Sequence, residues 1–160
     1  MMKKVQLIVF LLFASFHTFS QTNGLIVEIG ISDRDEFTKE YRKATIVYPF
    51  SDSPSGLTGL VGNVNGRIFF SVKPEKNIGC TGSPENYVIF LFTDGTTYKV
   101  INDISKADCT GESQSAYTIS TYMFKGKKVA KIRVKQTNGY EDFNWTCPFD
   151  MNDFINAVKI

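Results

Sequence analysis

YTISTYMFKGKKVAKIRVKQTNGYEDFNWTC, residues 117–147, is the stretch that decides the fold. Apolar and polar residues alternate along it, broken by two glycine turns, Lys125-Gly126 and Asn138-Gly139. Alternation with a period of two marks half-buried strands, because successive side chains leave a strand on opposite faces. A two-residue turn at Asn138-Gly139 pairs Val134 with Phe143, Ile132 with Trp145 and Ala130 with Cys147. A turn at Lys125-Gly126 pairs Ile119 with Ile132 and Tyr117 with Val134. Both turns put Tyr117, Ile119, Met123, Ala130, Ile132, Val134, Phe143, Trp145 and Cys147 on one apolar face. The opposite face receives Thr118, Ser120, Tyr122, Lys131, Arg133, Lys135, Asp142, Asn144 and Thr146, with Lys135 and Asp142 as a cross-strand ion pair. This pattern predicts an antiparallel meander with one face on a core and the other in water.

Working outward, the same signals recur upstream. Runs rich in β-branched and aromatic residues predict strands at Leu25–Ile31, Ala44–Phe50, Leu57–Val64, Arg67–Lys73, Tyr87–Phe92 and Thr97–Asn102. Asn65-Gly66 and Asp94-Gly95 are further hairpin turns, and Asp33–Lys43 reads as a charged connection with one helical turn around Phe37 and Tyr41. Downstream, Asp150 is a capping residue, and Met151, Phe154, Ile155 and Val158 recur at helical spacing. The fold class predicted is mainly β, an antiparallel sandwich or curled sheet of about eight or nine strands with one C-terminal helix over 151–159.

The N-terminus carries a different signal. Met1-Met2-Lys3-Lys4 is a short basic start, Val5 to Phe16 is mostly apolar, and Thr18-Phe19-Ser20 offers small residues at −3 and −1 before Gln21. That is the pattern of a secretory signal peptide over residues 1–20, followed by one domain over residues 21–160. The protein is expected in the periplasm or outside the cell, and not spanning a membrane once the signal is removed.

Removal of residues 1–20 takes Lys3 and Lys4 from 18 basic groups, leaving 16 against 16 acidic ones. Net charge then gives no argument for a nucleic-acid partner. His17, the single histidine, leaves with the signal. The remaining chain has no imidazole to act as base for a serine or cysteine nucleophile, and lacks the commonest ligand for zinc or copper. No cofactor and no metal are expected.

Three cysteines remain, Cys80, Cys109 and Cys147. The Asp94-Gly95 turn pairs residues whose numbers sum to 189, as Val88 with Ile101, and Cys80 and Cys109 share that sum. Gly82 and Pro84 interrupt the ladder before Cys80, so the match shows that the two ends can meet. A Cys80–Cys109 disulfide is expected, contributing about 3–4 kcal/mol through loop closure. Cys147 then falls beside Trp145 as a buried thiol.

Candidate functional residues are sparse. Lys125, Lys127, Lys128, Lys131, Arg133 and Lys135 lie within eleven residues with no acid among them. Tyr122, Lys131, Arg133 and Lys135 form the candidate ligand-binding face, suited to an anionic glycan, a lipid headgroup or an acidic protein. Glu85, Asp103, Asp108 and Glu112 could supply a carboxylate pair for glycoside hydrolysis. Asp33-Arg34-Asp35-Glu36 has oxygen ligands for calcium but not the glycine of a twelve-residue calcium loop. The reading that follows is an exported, non-catalytic binding module with an anionic envelope, glycan or protein partner. The alternatives are a structural component of the cell envelope, joined through a strand edge, and a histidine-free hydrolase.

Overall fold

A computed structural model describes residues 27–53, 56–102, 108–110 and 114–160, except for the side chain of Cys147. Residues 1–20, the expected signal, lie outside the described residues, as do Asp103 and Glu112. The described residues form ten strands: β1 (Ile29–Arg34), β2 (Tyr41–Thr45), β3 (Tyr48–Pro49), β4 (Leu57–Val64), β5 (Arg67–Pro74), β6 (Tyr87–Phe92), β7 (Thr97–Ile101), β8 (Ser115–Thr118), β9 (Val129–Gln136) and β10 (Gly139–Phe149). A 3-10 turn (Thr121–Phe124) precedes β9, and one helix, α1 (Met151–Ala157), follows β10.

The strands make two antiparallel sheets in a sandwich-like arrangement. The first runs β1-β2-β4-β5-β8, with β3 also paired to β4; the second runs β10-β9-β6-β7. Phe70 of the first sheet meets Phe90 of the second at 5.3 Å between ring centroids, so the inner faces touch across the core. Phe50 is the hub of the aromatic part: it meets Phe70 edge-on at 5.0 Å and Phe154 of α1 at 5.2 Å. Such pairs add about 0.5–1.5 kcal/mol each beyond burial.

The helix forms where its sequence predicts. The Asp150 carboxylate accepts from the Asn152 amide, closing the first turn. Met151, Phe154, Ile155 and Val158 are buried. At the far end the Asn63 side-chain Nδ2 donates to the Val158 carbonyl at 3.0 Å and Lys43 Nζ to the Lys159 carbonyl at 3.3 Å, so β2 and β4 satisfy carbonyls that a helix end leaves open.

Three expectations are corrected. In place of one strand over Tyr117–Phe124 there are the four-residue β8, which starts at Ser115, and a 3-10 turn, and β8 pairs with β5 of the first sheet rather than with β9. Tyr117 and Ile119 still face the same core as Ile132 and Val134, from the opposite layer. The Asp33–Lys43 connection is a hairpin between β1 and β2. Its turn is built by Asp35, whose carboxylate accepts from the amides of Phe37 at 2.9 Å and Thr38 at 2.7 Å; these bonds hold its pKa below the ordinary value.

The third correction concerns register. The β9–β10 pairing has Asp142 opposite Arg133 and Phe143 opposite Ile132, so the turn residues are Thr137 and Asn138, one place before the predicted pair. A neighbouring loop sets it: the Asn138 amide donates to the Ile78 carbonyl at 3.0 Å, and the Thr137 hydroxyl accepts from the Cys80 amide at 2.8 Å. The β6–β7 hairpin pairs Val88 with Val100, one residue from the expected register. Gly95, at φ +81°, closes a longer turn, in which the Phe92 amide donates to Thr96 and the Gly95 amide to Phe92.

Cys80 and Cys109 form a disulfide, with Cα atoms 4.0 Å apart. Because the ladder register differs from the expected one, the approach comes from the loops beyond it. The Thr81 amide donates to the Asp108 carbonyl at 2.8 Å, and the Asp108 amide to the Thr81 hydroxyl at 3.1 Å.

Candidate functional site

The outer face of the second sheet carries three cross-strand rows, in the order β10, β9, β6, β7. The first is Tyr140, Lys135, Tyr87, Ile101; the second Asp142, Arg133, Ile89, Lys99; the third Asn144, Lys131, Leu91, Thr97. At ordinary strand spacing this face spans about 14 Å in each direction. Four cations stand on it against one carboxylate, Asp142. Buried neighbours alternate with these residues along every strand: Val88 and Phe90 on β6, Ile132 and Val134 on β9, Phe143 on β10. Burial of those residues is what fixes Lys131, Arg133 and Lys135 outward.

Arg133 forms two bonds to Asp142, Nε to Oδ1 at 2.5 Å and an amino nitrogen to Oδ2 at 2.7 Å. The guanidinium beside it lowers the Asp142 pKa. The expected Lys135–Asp142 pair is therefore replaced by Arg133–Asp142, a direct result of the shifted turn. The Arg133 guanidinium also lies over the Tyr140 ring at 4.4 Å, and Lys99 over the Tyr87 ring at 4.1 Å. Cation and ring neighbour each other on this face at two places, one on each flank. Lys135 donates to the Gln136 carbonyl, and Lys131 makes no ion pair among the described residues. Tyr140 and Ile101 are 59% and 57% exposed, so the rim of the face is open to a partner.

Of the predicted site residues, Lys131, Arg133 and Lys135 stand together. Tyr122 does not join them. It sits on the 3-10 turn, 79% exposed, beside a separate hollow with Met123, Lys125 and Lys127. Lys127 is held there by the Asp94 turn, donating to Thr96 Oγ1 at 2.6 Å and lying 3.2 Å from Asp94. The Thr96 hydroxyl and amide hold the Asp94 pKa at about 2. Lys99 and Tyr87 were missed, since only the strand order brings β6 and β7 beside β9, whereas Tyr140 shares the outward parity of Asp142 and Asn144 on the hairpin strand. A signal was available in the outward alternation of Thr97, Lys99 and Ile101.

The carboxylate candidates do not assemble among the described residues. Glu85 is exposed, and the Asp108 carboxylate accepts from the amide and hydroxyl of Thr110, both at 2.9 Å, within its own turn. Asp33 and Asp35, the proposed calcium ligands, each lie 3.4 Å from Arg42. Among the described residues no helix is long and apolar enough to cross a membrane. Compared with known proteins, the chain matches no family model, no curated protein and no solved structure.

Proposed function

We propose that this chain is an exported, non-catalytic binding module whose working surface is the outer face of the β10-β9-β6-β7 sheet. Its ligand is an anionic glycan of a cell envelope or matrix. One observation carries this reading: Lys99, Lys131, Arg133 and Lys135 share a plane with the rings of Tyr87 and Tyr140. Cations meet carboxylate or sulfate groups, while the rings offer apolar surface to the C–H faces of the sugars between them. Export is supported by the N-terminal pattern and by the Cys80–Cys109 disulfide, a bond typical of oxidising compartments.

Retention on immobilised heparin, a sulfated glycan, tests the reading. The protein is expected to be retained at low salt and released as salt screens the contacts. The variant Lys99→Glu/Lys131→Glu/Lys135→Glu should lose retention while keeping its thermal transition. Arg133 is spared because its guanidinium also holds the β9–β10 ladder. Unchanged retention by the variant would remove this face from the account.

A second reading rests on β1. This strand is at the edge of the first sheet and is exposed along its whole length, with Ile31 50% exposed and Phe37 in its turn 95% exposed. A free edge of this kind can accept a strand from an envelope partner. Ser32→Pro, which removes an amide that the pairing turns away from β2, should then abolish crosslinking to a surface complex in intact cells; undiminished crosslinking would end this reading.

A further inference from the structure

The outer face of the first sheet carries a hollow built around one aromatic side chain. A hollow of about 550 Å³ opens over β4, β5 and β8, lined by Glu40, Val64, Asn65, Arg67, Phe69, Ala116 and Thr118. That volume is within the range of small-ligand sites, about 300–1,000 Å³. Phe69 lies directly between Gly62 on β4 and Thr118 on β8. Gly62 decides what the Phe69 ring does. A Cβ at position 62 would stand 2.2 Å from Phe69 Cζ, so the ring occupies the place of the missing side chain. It leans across β4 and becomes floor instead of a projecting peg.

The rim is polar and electrically balanced. Glu40 brings a carboxylate and Arg67 a guanidinium, and neither forms an ion pair among the described residues. The Asn65 carbonyl accepts from the Tyr41 amide at 2.8 Å, which fixes the side chain and leaves its NH2 as a donor. An aromatic floor, a bidentate acceptor and a forked donor around one small hollow are complementary to a ring with an apolar face and vicinal hydroxyls.

We infer that this hollow is a second ligand site, distinct from the cationic face, and that it binds a neutral pyranose sugar stacked on Phe69. Glu40 accepts from one hydroxyl pair, Arg67 donates to another, and the balanced charge of the rim favours an uncharged sugar over a uronate or sulfate. The inference does not rest on the reading of the other sheet, and the two are separated by salt and by location. Polyanion binding should weaken as salt rises, whereas neutral-sugar binding should not.

The test is a backbone-amide NMR titration of the whole exported chain with maltotriose, cellotriose, mannotriose and chitotriose, at low and high salt. At least one is expected to shift the amides of residues 62–70 and 116–118, with a dissociation constant of about 0.1–10 mM that salt leaves unchanged. Arg67→Met and Glu40→Gln should each weaken binding about tenfold. Gly62→Ala, which displaces the ring but keeps every polar group, should weaken it as much as Phe69→Leu does. Phe69→Leu keeps a side chain in the sheet and serves where Gly62→Ala disturbs folding. The inference is overturned if none of the four sugars shifts these amides at about 50 mM. It is also overturned if the shifts persist undiminished in Phe69→Leu and Arg67→Met.

Discussion

Two hairpins of this molecule carry the same turn dipeptide and obey it differently. Between β4 and β5, Asn65 and Gly66 take left-handed conformations, φ +52° and +87°, and the strands pair from Val64–Arg67 onward as a two-residue turn requires. Between β9 and β10, Asn138-Gly139 should do the same, yet the turn falls on Thr137-Asn138 and Gly139 joins the strand. The first turn meets β2 at Asn65, whose amide donates to the Tyr41 carbonyl at 3.0 Å and whose side-chain carbonyl accepts from the Tyr41 amide at 2.8 Å, and these bonds continue the β2–β4 ladder in its own register. The second is docked on the loop at Ile78–Cys80 through Asn138 and Thr137. Local preference sets the register where the neighbouring strand agrees with it, and a docked loop overrides it where the contacts do not. The consequence is a change of ion pair: the shift places Arg133, not Lys135, against Asp142.

The largest change should come from releasing the docked loop. Cys80→Ala/Cys109→Ala removes a cross-link closing 29 residues of sequence separation. It should cost about 3 kcal/mol, read as a lower denaturation midpoint. Cross-strand NOEs in this variant should show the β9–β10 turn moving toward Asn138-Gly139; a native register would mean the docking does not set it.

Glycine substitutions sharpen the same contrast at about 1 kcal/mol. Gly66→Ala forces an alanine into a left-handed turn and should destabilise by about 1 kcal/mol. Gly139 is in the strand with open space around a Cβ, so Gly139→Ala should be neutral or stabilising by about 0.5 kcal/mol. Equal losses at the two positions, in parallel chemical denaturations, would erase the distinction.

A smaller effect reads the register itself. Double-mutant cycles should give a small but measurable coupling for Arg133 with Asp142, a half-exposed pair screened by solvent, and none for Lys135 with Asp142. Acid should remove this coupling. The Asp142 pKa is lowered in the folded state, so its contribution is complete above the unfolded value of about 3.9 and is lost as pH falls through the folded one. Asp142→Asn should flatten the acid side of the stability curve, and an unchanged slope would contradict the pairing.

How far the sequence was legible follows the same division. β4 and β6 have the bounds that alternation and turns predict, and the helix cap falls on Asp150. β8 was misread because its partner β5 is more than forty positions away, and no local pattern names it. Alternation along β9 also breaks at Ala130, where a bulge lets Val129 rather than Ala130 enter the core. At the proposed binding face, parity alone pointed Lys131, Arg133 and Lys135 outward. Tyr140 has the same outward parity on the hairpin strand as Asp142, whereas Tyr87 and Lys99 reach the face through strand order, which alternation does not encode.

The measurement that tests the central claim most directly is lysine-selective acetylation of the native protein, read residue by residue, with and without heparin oligosaccharide. Lys99, Lys131 and Lys135 should lose reactivity together, while Lys43 and Lys73 of the first sheet react as before. Protection confined to the first sheet, or to the Lys125–Lys128 turn, would contradict the assignment of the β10-β9-β6-β7 face.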